Sequence, residues 1–177
     1  MVEEQIEQNE TYVEGSCNVI LDTAKSVYDE EIDRFKQAEA KTNITLAFVG
    51  ILFGAYLTYL GTYKPPIEET SYLIYTVLFK MAVFICYIVS IIYFLKAIST
   101  GKYEQVDLNQ FATESFALKN TEIATLTVAF TYRDVVNLNR GVLEKKLECY
   151  SKGLRILTYG FVIFTIHFLI EEVIRHV

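Results

Sequence analysis

The chain has 177 residues, of which 52% are hydrophobic, and its formal net charge is −6. It is more apolar than an acidic soluble domain usually is, so the composition favours a membrane protein. The acidity is concentrated in residues 1–43, with 11 acidic and 4 basic side chains. So acidic a segment is not expected to act as a cleaved signal peptide or to bind a nucleic-acid backbone.

Residues 1–16 are rich in glutamate and poor in apolar residues, and we expect a weakly ordered acidic tail. Residues 17–43 have an amphipathic pattern that predicts a cytoplasmic helix. Its apolar positions recur at steps of three and four residues and are Leu21, Ala24, Tyr28, Ile32, Phe35 and Ala38. No helix breaker precedes the following apolar run, so this helix is expected to continue into the membrane.

Residues 44–97 predict a tight transmembrane hairpin. Ile44 to Thr62 is a run of nineteen residues without a charge, close to the about 20 residues that span a bilayer core. The next segment, Tyr63 to Ser71, contains two adjacent prolines and is expected to turn. Tyr72 to Ala97 is the second predicted span and is interrupted only by Lys80 and Lys96.

Residues 98–153 predict a cytoplasmic helical region, and residues 154–177 a third span with a short outer tail. We expect a short helix from Asp107 to Leu118 and, capped by Asn120, a stalk helix that starts near Thr121 and continues into the third span. The stalk has a heptad-like apolar pattern that predicts a seam between subunits. The seam residues are Val128, Val135, Leu138 and Val142.

The fold class is therefore an all-α membrane protein with three transmembrane helices. Lysine and arginine residues are concentrated at the predicted inner ends of the spans, whereas Lys64 and Arg175 are the basic residues of the outer segments. The positive-inside rule then places the N-terminus in the cytoplasm and the C-terminus outside.

The sequence lacks the motifs of common enzyme classes, including HExxH, GxSxG, the Walker loop and GxGxxG. We therefore expect no enzyme, no catalytic residue, no metal site and no cofactor. The three cysteines have no CxxC spacing, which argues against a zinc or disulfide framework.

Lys80 is the most informative residue, because a charge within a span costs about 2.5 to 3.5 kcal/mol on insertion scales and is usually retained for a partner or a water-filled path. At helical rise Lys80 reaches a depth that His167 and Glu171 on the third span also reach. We predict that the three form an intramembrane polar cluster, lining a pore or locking two helices together. The alternative is that Lys80 extends its charged end to the interface.

Gly50 and Gly54 form a GxxxG motif in the first span, which favours close helix packing. The partner helix belongs either to the same chain or to another subunit. A group of basic residues near the stalk, with acids interspersed, is a weak candidate for binding an anion, and the alternative is an ordinary solvated helix face. These basic residues are Arg133, Arg140, Lys145 and Lys146.

The amphipathic segment LDTAKSVYDEEIDRFKQAEA, the hairpin that follows it and the segment TYRDVVNLNRGVLEKK together resemble the SLATT group of small bacterial membrane proteins. The likeness covers most of the chain, whereas the third span goes beyond the two-span hairpin of that group. The chain is also similar in kind to the membrane effector of the Hailong anti-phage defence system.

This resemblance implies a pore-forming effector gated by a nucleotide or oligonucleotide from a partner nucleotidyltransferase. The resulting hypothesis is a homo-oligomeric ion channel, a tetramer or similar, that depolarises the bacterial inner membrane in which it lies among lipids. The alternative hypothesis is a non-conducting membrane adaptor or accessory subunit that displays its cytoplasmic helices to a partner.

Overall fold

The computed structural model describes residues 12–64 and 69–176 of the chain. These residues form helices and connecting segments, with no strand among them. The helices are α1 (Glu14–Thr62), α2 (Thr70–Ser99), α3 (Glu114–Ala117) and α4 (Thr121–His176), and a 3-10 turn lies at Leu108–Gln110. Most of the predicted acidic tail and the proline pair of the predicted turn lie outside the described residues.

Helices α1, α2 and α4 are each long and apolar enough to cross a membrane. This finding confirms the all-α class for the described residues and shows three helices with the length and composition that the predicted spans require. Within the most apolar window of each helix, 11 to 22% of the residues are buried inside the chain. Most of the apolar surface of the spans therefore faces outward, as expected for helices surrounded by lipid or by further copies of the chain.

The described residues divide into two compact units. The first unit contains the described residues up to Arg34 together with Tyr103–Gly141, and the second contains Phe35–Lys102 and the chain from Val142 onward. Helices α1 and α4 each contribute to both units.

In the first unit, α1 and α4 run parallel and pack through aromatic rings. The ring of Tyr28 lies 5.1 Å from that of Tyr132 and 6.1 Å from that of Tyr103. The fully buried amide of Asn139 accepts a hydrogen bond from the backbone N–H of Glu104 and donates one to its carbonyl, both at 2.9 Å. This paired contact fixes the segment before the 3-10 turn to α4.

The prediction of one short helix from Asp107 to Leu118 is wrong in its detail. The structure has the 3-10 turn and then the single-turn helix α3. The physical reason is local capping: the Asp107 carboxylate accepts from the Asn109 N–H, and the Thr113 hydroxyl accepts from the Phe116 N–H. Side chains that satisfy backbone groups in this way divide the segment into two short turns.

In the second unit, α1 and α4 again run parallel, and α2 runs antiparallel to both. The Tyr56 hydroxyl of α1 donates to the Lys80 carbonyl of α2 at 2.7 Å. The Ser90 hydroxyl of α2 donates to the Gly153 carbonyl of α4 at 2.9 Å. The core between the three helices contains Val49, Tyr56, Val83, Tyr87, Phe94 and Leu157.

Two glycines of α4 allow α2 to pack closely. A Cβ added at Gly160 would lie 2.7 Å from Cys86 Cβ, and one added at Gly153 would lie 3.1 Å from the Phe94 ring. Together with His167 these glycines are spaced by seven residues, so all three lie on one face of α4.

The buried stripe of α4 in the first unit lies one residue later than the predicted seam. Ala129, Val136 and Asn139 are buried, whereas Val128 and Val135 are partly buried and Leu138 is 62% exposed. In the second unit the same offset holds, since Leu143 is buried and Val142 is partly buried. Two of the buried heptad positions are polar, Asn139 and Lys146. The seam predicted between subunits concerns contacts between copies of the chain and stays a prediction.

Candidate functional site

The structure brings Lys80, His167 and Glu171 together inside the second unit, as the sequence predicted. Lys80 Nζ lies 3.7 Å from Glu171 Oε1, and His167 Nε2 lies 3.1 Å from the same oxygen. The side chains are 11%, 1% and 4% exposed, respectively. His167 and Glu171 are four residues apart on α4 and so share a helix face, and the antiparallel α2 carries Lys80 to the same level.

Tyr59 of α1 and Tyr63, directly after the end of α1, complete the surroundings of the ion pair. The Tyr59 hydroxyl donates a hydrogen bond to Glu171 Oε2. The Lys80 ammonium lies over the ring of Tyr63, and 5.0 Å from the ring centroid of Tyr59. Aromatic faces stabilise a desolvated cation, so the Lys80 ammonium is held by a carboxylate and by two rings.

The sequence interpretation missed the roles of Tyr59 and Tyr63. Neither residue was among the predicted members of the cluster, because tyrosines near the end of a span are also typical of the aromatic belt at a membrane interface. The signal that identifies them is their spacing of four residues at the end of α1, next to Lys80.

His167 lies in an aromatic cage made by α2. Its ring stacks on Phe79 with 5.4 Å between centroids and meets the Tyr75 ring edge-on at 5.7 Å. Neither ring nitrogen makes a well-oriented hydrogen bond with any described residue, although Nε2 is close to Glu171. The contact between His167 and Glu171 is therefore one of proximity, without good hydrogen-bond geometry.

Two further atoms of the cluster, the Lys80 ammonium and Glu171 Oε1, also lack a well-oriented partner within the described chain. The same holds for the neighbouring hydroxyls of Tyr63, Tyr72 and Thr76. The Tyr63 hydroxyl faces the side chains of Tyr72, Thr76 and Glu171. Such a concentration of unsatisfied groups is unusual, because native proteins normally pair their buried polar atoms.

A cavity of about 230 Å³ adjoins the cluster at the end of the second unit that contains Tyr63, which we call the Tyr63 end. Glu171 lines this cavity. Its other lining residues are Tyr59, Thr62, Tyr63, Phe168, Glu172 and Arg175. Away from the Tyr63 end, the cluster is bounded by the packed core residues Tyr56 and Tyr87, whose rings lie 5.6 Å apart.

Gly50 and Gly54 do not contact another described helix. A Cβ added at either position, or at Gly61, would meet nothing within 4 Å. Of the two partners considered for this motif, a span of the same chain is thus ruled out within the described residues. Close packing of α2 uses the glycines of α4 instead.

The basic residues divide between the two units. In the first unit Arg133 pairs with Asp134 at 2.9 Å, and Arg140 Nε lies 3.9 Å from the buried Glu31. Also in this unit, burial raises the pKa of Tyr103 to about 12, and the neighbouring Tyr28 adds to this effect.

In the second unit Lys145 is exposed, whereas Lys146 is buried. Lys146 Nζ donates to Glu39 Oε1 at 2.8 Å and to the Ile98 carbonyl at 3.2 Å, and it lies 4.7 Å from the Phe35 ring centroid. Its three interactions tie α4 to α1 and to the end of α2. Lys146 is therefore committed to internal contacts, and Lys145 is the neighbouring cation that a ligand can reach.

The described residues contain no group of three or more histidine, cysteine, aspartate or glutamate side chains arranged to hold a metal ion. What the site offers is a buried ion pair, a neighbouring imidazole and several hydroxyls beside a cavity. Comparisons of the chain with protein-family models, with curated proteins and with solved structures gave no match.

Proposed function

We propose that the chain is a subunit of a homo-oligomeric ion channel in the bacterial inner membrane. The observation that carries this proposal is the buried Lys80, His167 and Glu171 cluster within helices long enough to span a bilayer. Ionisable residues in spans are costly and usually mark ion pathways, relays or polar partners. An inert anchor needs none of them.

Two further observations support an assembly of several copies. The core of the second unit is filled by large side chains such as Tyr56, Tyr87 and Phe94, so three helices of one chain leave no open passage. The face of α1 that carries Gly50 and Gly54 is free of described neighbours, and small residues on a spanning helix favour contact with another helix. An ion path between copies of the chain is compatible with the filled core and gives the glycine face a neighbouring helix.

The proposed orientation has the N-terminus in the cytoplasm and the C-terminus outside, in accordance with the distribution of lysine and arginine. It places the first unit in the cytoplasm and the Tyr63 end at the outer surface. The proposed physiological role, depolarisation of the membrane during phage infection, comes from the resemblance to SLATT-type effectors.

The proposed signal is a nucleotide or oligonucleotide made by a partner nucleotidyltransferase. Exposed cations on α4 support an anionic ligand, with Lys145 as the accessible one in the second unit and Arg133 and Arg140 in the first. An adaptor that displays the same helices to a partner protein is the competing function, and ion flux distinguishes the two.

The test is reconstitution of the purified chain in liposomes loaded with a potassium-sensitive dye, with its mass in detergent measured in parallel. A channel gives a discrete oligomer and ion flux. Gly54→Leu is expected to reduce both, because a leucine prevents close approach at that face. The matched control is Ala55→Leu on the neighbouring exposed position, where no small-residue face is disturbed. A monomer without flux refutes the channel and leaves the adaptor.

A further inference from the structure

Buried polar atoms without well-oriented partners converge beside Glu171. Within the described chain, Glu171 Oε1, both ring nitrogens of His167 and the Lys80 ammonium belong to this group. His167 and Glu171 are less than 5% exposed. Leaving such groups unsatisfied in a protein interior costs free energy, so these atoms are suited to binding something small and polar.

The cavity at the Tyr63 end reaches this group. It is lined by Glu171 itself, and its volume of about 230 Å³ is several times the about 30 Å³ that one water molecule occupies in the liquid. Its polar lining includes the Tyr59 and Tyr63 side chains. A polar and roomy space of this kind accommodates water with two or more hydrogen-bond partners for each molecule.

Towards the other end of the second unit the path is closed. The Tyr56 hydroxyl is occupied by the Lys80 carbonyl, and its ring packs against Tyr87 and Phe164 at 5.6 Å. Among the described residues, the cluster thus borders a cavity at the Tyr63 end and packed side chains towards the other end.

Titratable and charged groups face Glu171 from all three helices. From α1 and the residue that follows it these are Tyr59 and Tyr63, and from α2 they are Lys80 and, next to Tyr63, Tyr72. From α4 the facing group is His167, with Glu172 and Arg175 at the mouth of the cavity. Glu171 and Lys80 carry opposite charges, so an ion of either sign meets a repelling neighbour. A proton meets the same repulsion from Lys80, but it binds covalently to a Glu171 oxygen and needs no further coordination.

We propose that the pair formed by Glu171 and His167 is a proton-binding site supplied by water in the cavity at the Tyr63 end. A hydronium ion in the cavity transfers its proton to the Glu171 carboxylate, which leaves a water molecule and a neutral carboxylic acid. His167 Nε2 lies 3.1 Å from Oε1, close enough to take the same proton once the imidazole ring is oriented towards that oxygen. One proton is taken up by the pair.

Uptake of this proton weakens the tie between α2 and α4. The attraction that holds Lys80 to Glu171 needs the full negative charge of the carboxylate. A proton on Glu171 removes that charge, and a proton on His167 partly compensates it. The consequence for channel opening rests on the proposed function, whereas proton binding itself does not.

The experiment is infrared difference spectroscopy of the full chain in lipid nanodiscs, taken between acidic and neutral pH in H2O and in D2O. Carboxylic acid and imidazole bands report the pair directly and need no ion conduction. The variants are Glu171→Gln and His167→Gln. The matched control is Glu172→Gln, whose carboxylate is adjacent in sequence and 44% exposed.

The expected result is a difference band that is lost in Glu171→Gln, altered in His167→Gln and retained in Glu172→Gln, and that shifts on transfer to D2O. The site is refuted if the Glu171→Gln spectrum matches that of the wild type, or if the band does not exchange in D2O. A normal proton signal in a protein without ion flux would reject the channel and keep this site. Ion flux without the proton signal would reject this site and keep the channel.

Discussion

Replacing Lys80 by methionine is expected to destabilise the protein by about 3 kcal/mol. Lys80 is 11% exposed and lies 3.7 Å from the carboxylate of Glu171, which is 4% exposed. Removing one partner of a buried pair typically costs about 3 to 5 kcal/mol, because the other charge is left uncompensated. We expect the lower end of this range because the Tyr59 hydroxyl still donates to Glu171, which also borders the cavity.

The assay is a double-mutant cycle on the purified chain, with the free energy of unfolding followed by circular dichroism in mixed micelles. Lys80→Met with Glu171→Gln should be less destabilised than the sum of the two single variants, with a coupling of about 2 kcal/mol. Arg175→Met, at an exposed pair on the same end of α4, should cost less than about 0.5 kcal/mol. Additive single effects would show that Lys80 and Glu171 do not interact and would refute this account of the cluster.

Three further predictions concern the packing within each unit and are tested by unfolding of the purified chain. Gly160→Ala should cost about 1 to 3 kcal/mol, because its methyl carbon would lie 2.7 Å from an α2 side chain. In Gly141→Ala the added methyl group meets nothing within 4 Å, and the substitution should stabilise α4 by about 0.5 to 1 kcal/mol. Equal effects of the two alanine substitutions would contradict the close packing of α2 at Gly160. Lys146→Met should lower the free energy of unfolding by about 1 to 3 kcal/mol. Lys152→Met, at an exposed pair, should lower it by less than about 0.5 kcal/mol. A larger loss in Lys152→Met than in Lys146→Met would contradict the burial of Lys146. Burial raises the pKa of Tyr103 to about 12, so this tyrosine ionises at lower pH in the unfolded chain, near its usual pKa of about 10. The contribution of Tyr103 to the free energy of unfolding is therefore fully present below about pH 10 and should fall as the pH rises towards 12. Tyr103→Phe should reduce this fall, and an unchanged pH profile would show that Tyr103 is not its source.

The spans and the polar cluster were predictable because both follow from simple distances. A charge-free run such as Ile44 to Thr62 has to be long enough to cross a bilayer, and helical rise converts residue number into depth. The same arithmetic on α2 and α4 placed Lys80, His167 and Glu171 at one level, where the structure also has them.

Which face of each helix packs inward was not predictable from the apolar pattern. The stripe of α4 includes Asn139, which pairs with the backbone of Glu104, and Lys146, which pairs with Glu39. Both partners are distant in sequence, so each residue taken alone has the pattern of a solvated position. An apolar heptad pattern therefore does not identify this stripe.

The glycines show the same limitation. Gly50 and Gly54 have the spacing of a packing motif but face away from the described chain, whereas Gly153 and Gly160 contact α2. The rotation of each helix decides this, and the rotation follows from the whole set of contacts rather than from any local spacing.

The central claim, conduction by several copies of this chain, is tested most directly by measuring ion flux while the number of copies per liposome is varied by dilution with lipid. The account predicts flux that disappears when vesicles contain a single copy, with a steep dependence on copy number. Absence of flux at every protein-to-lipid ratio, with the protein inserted and folded, would contradict it.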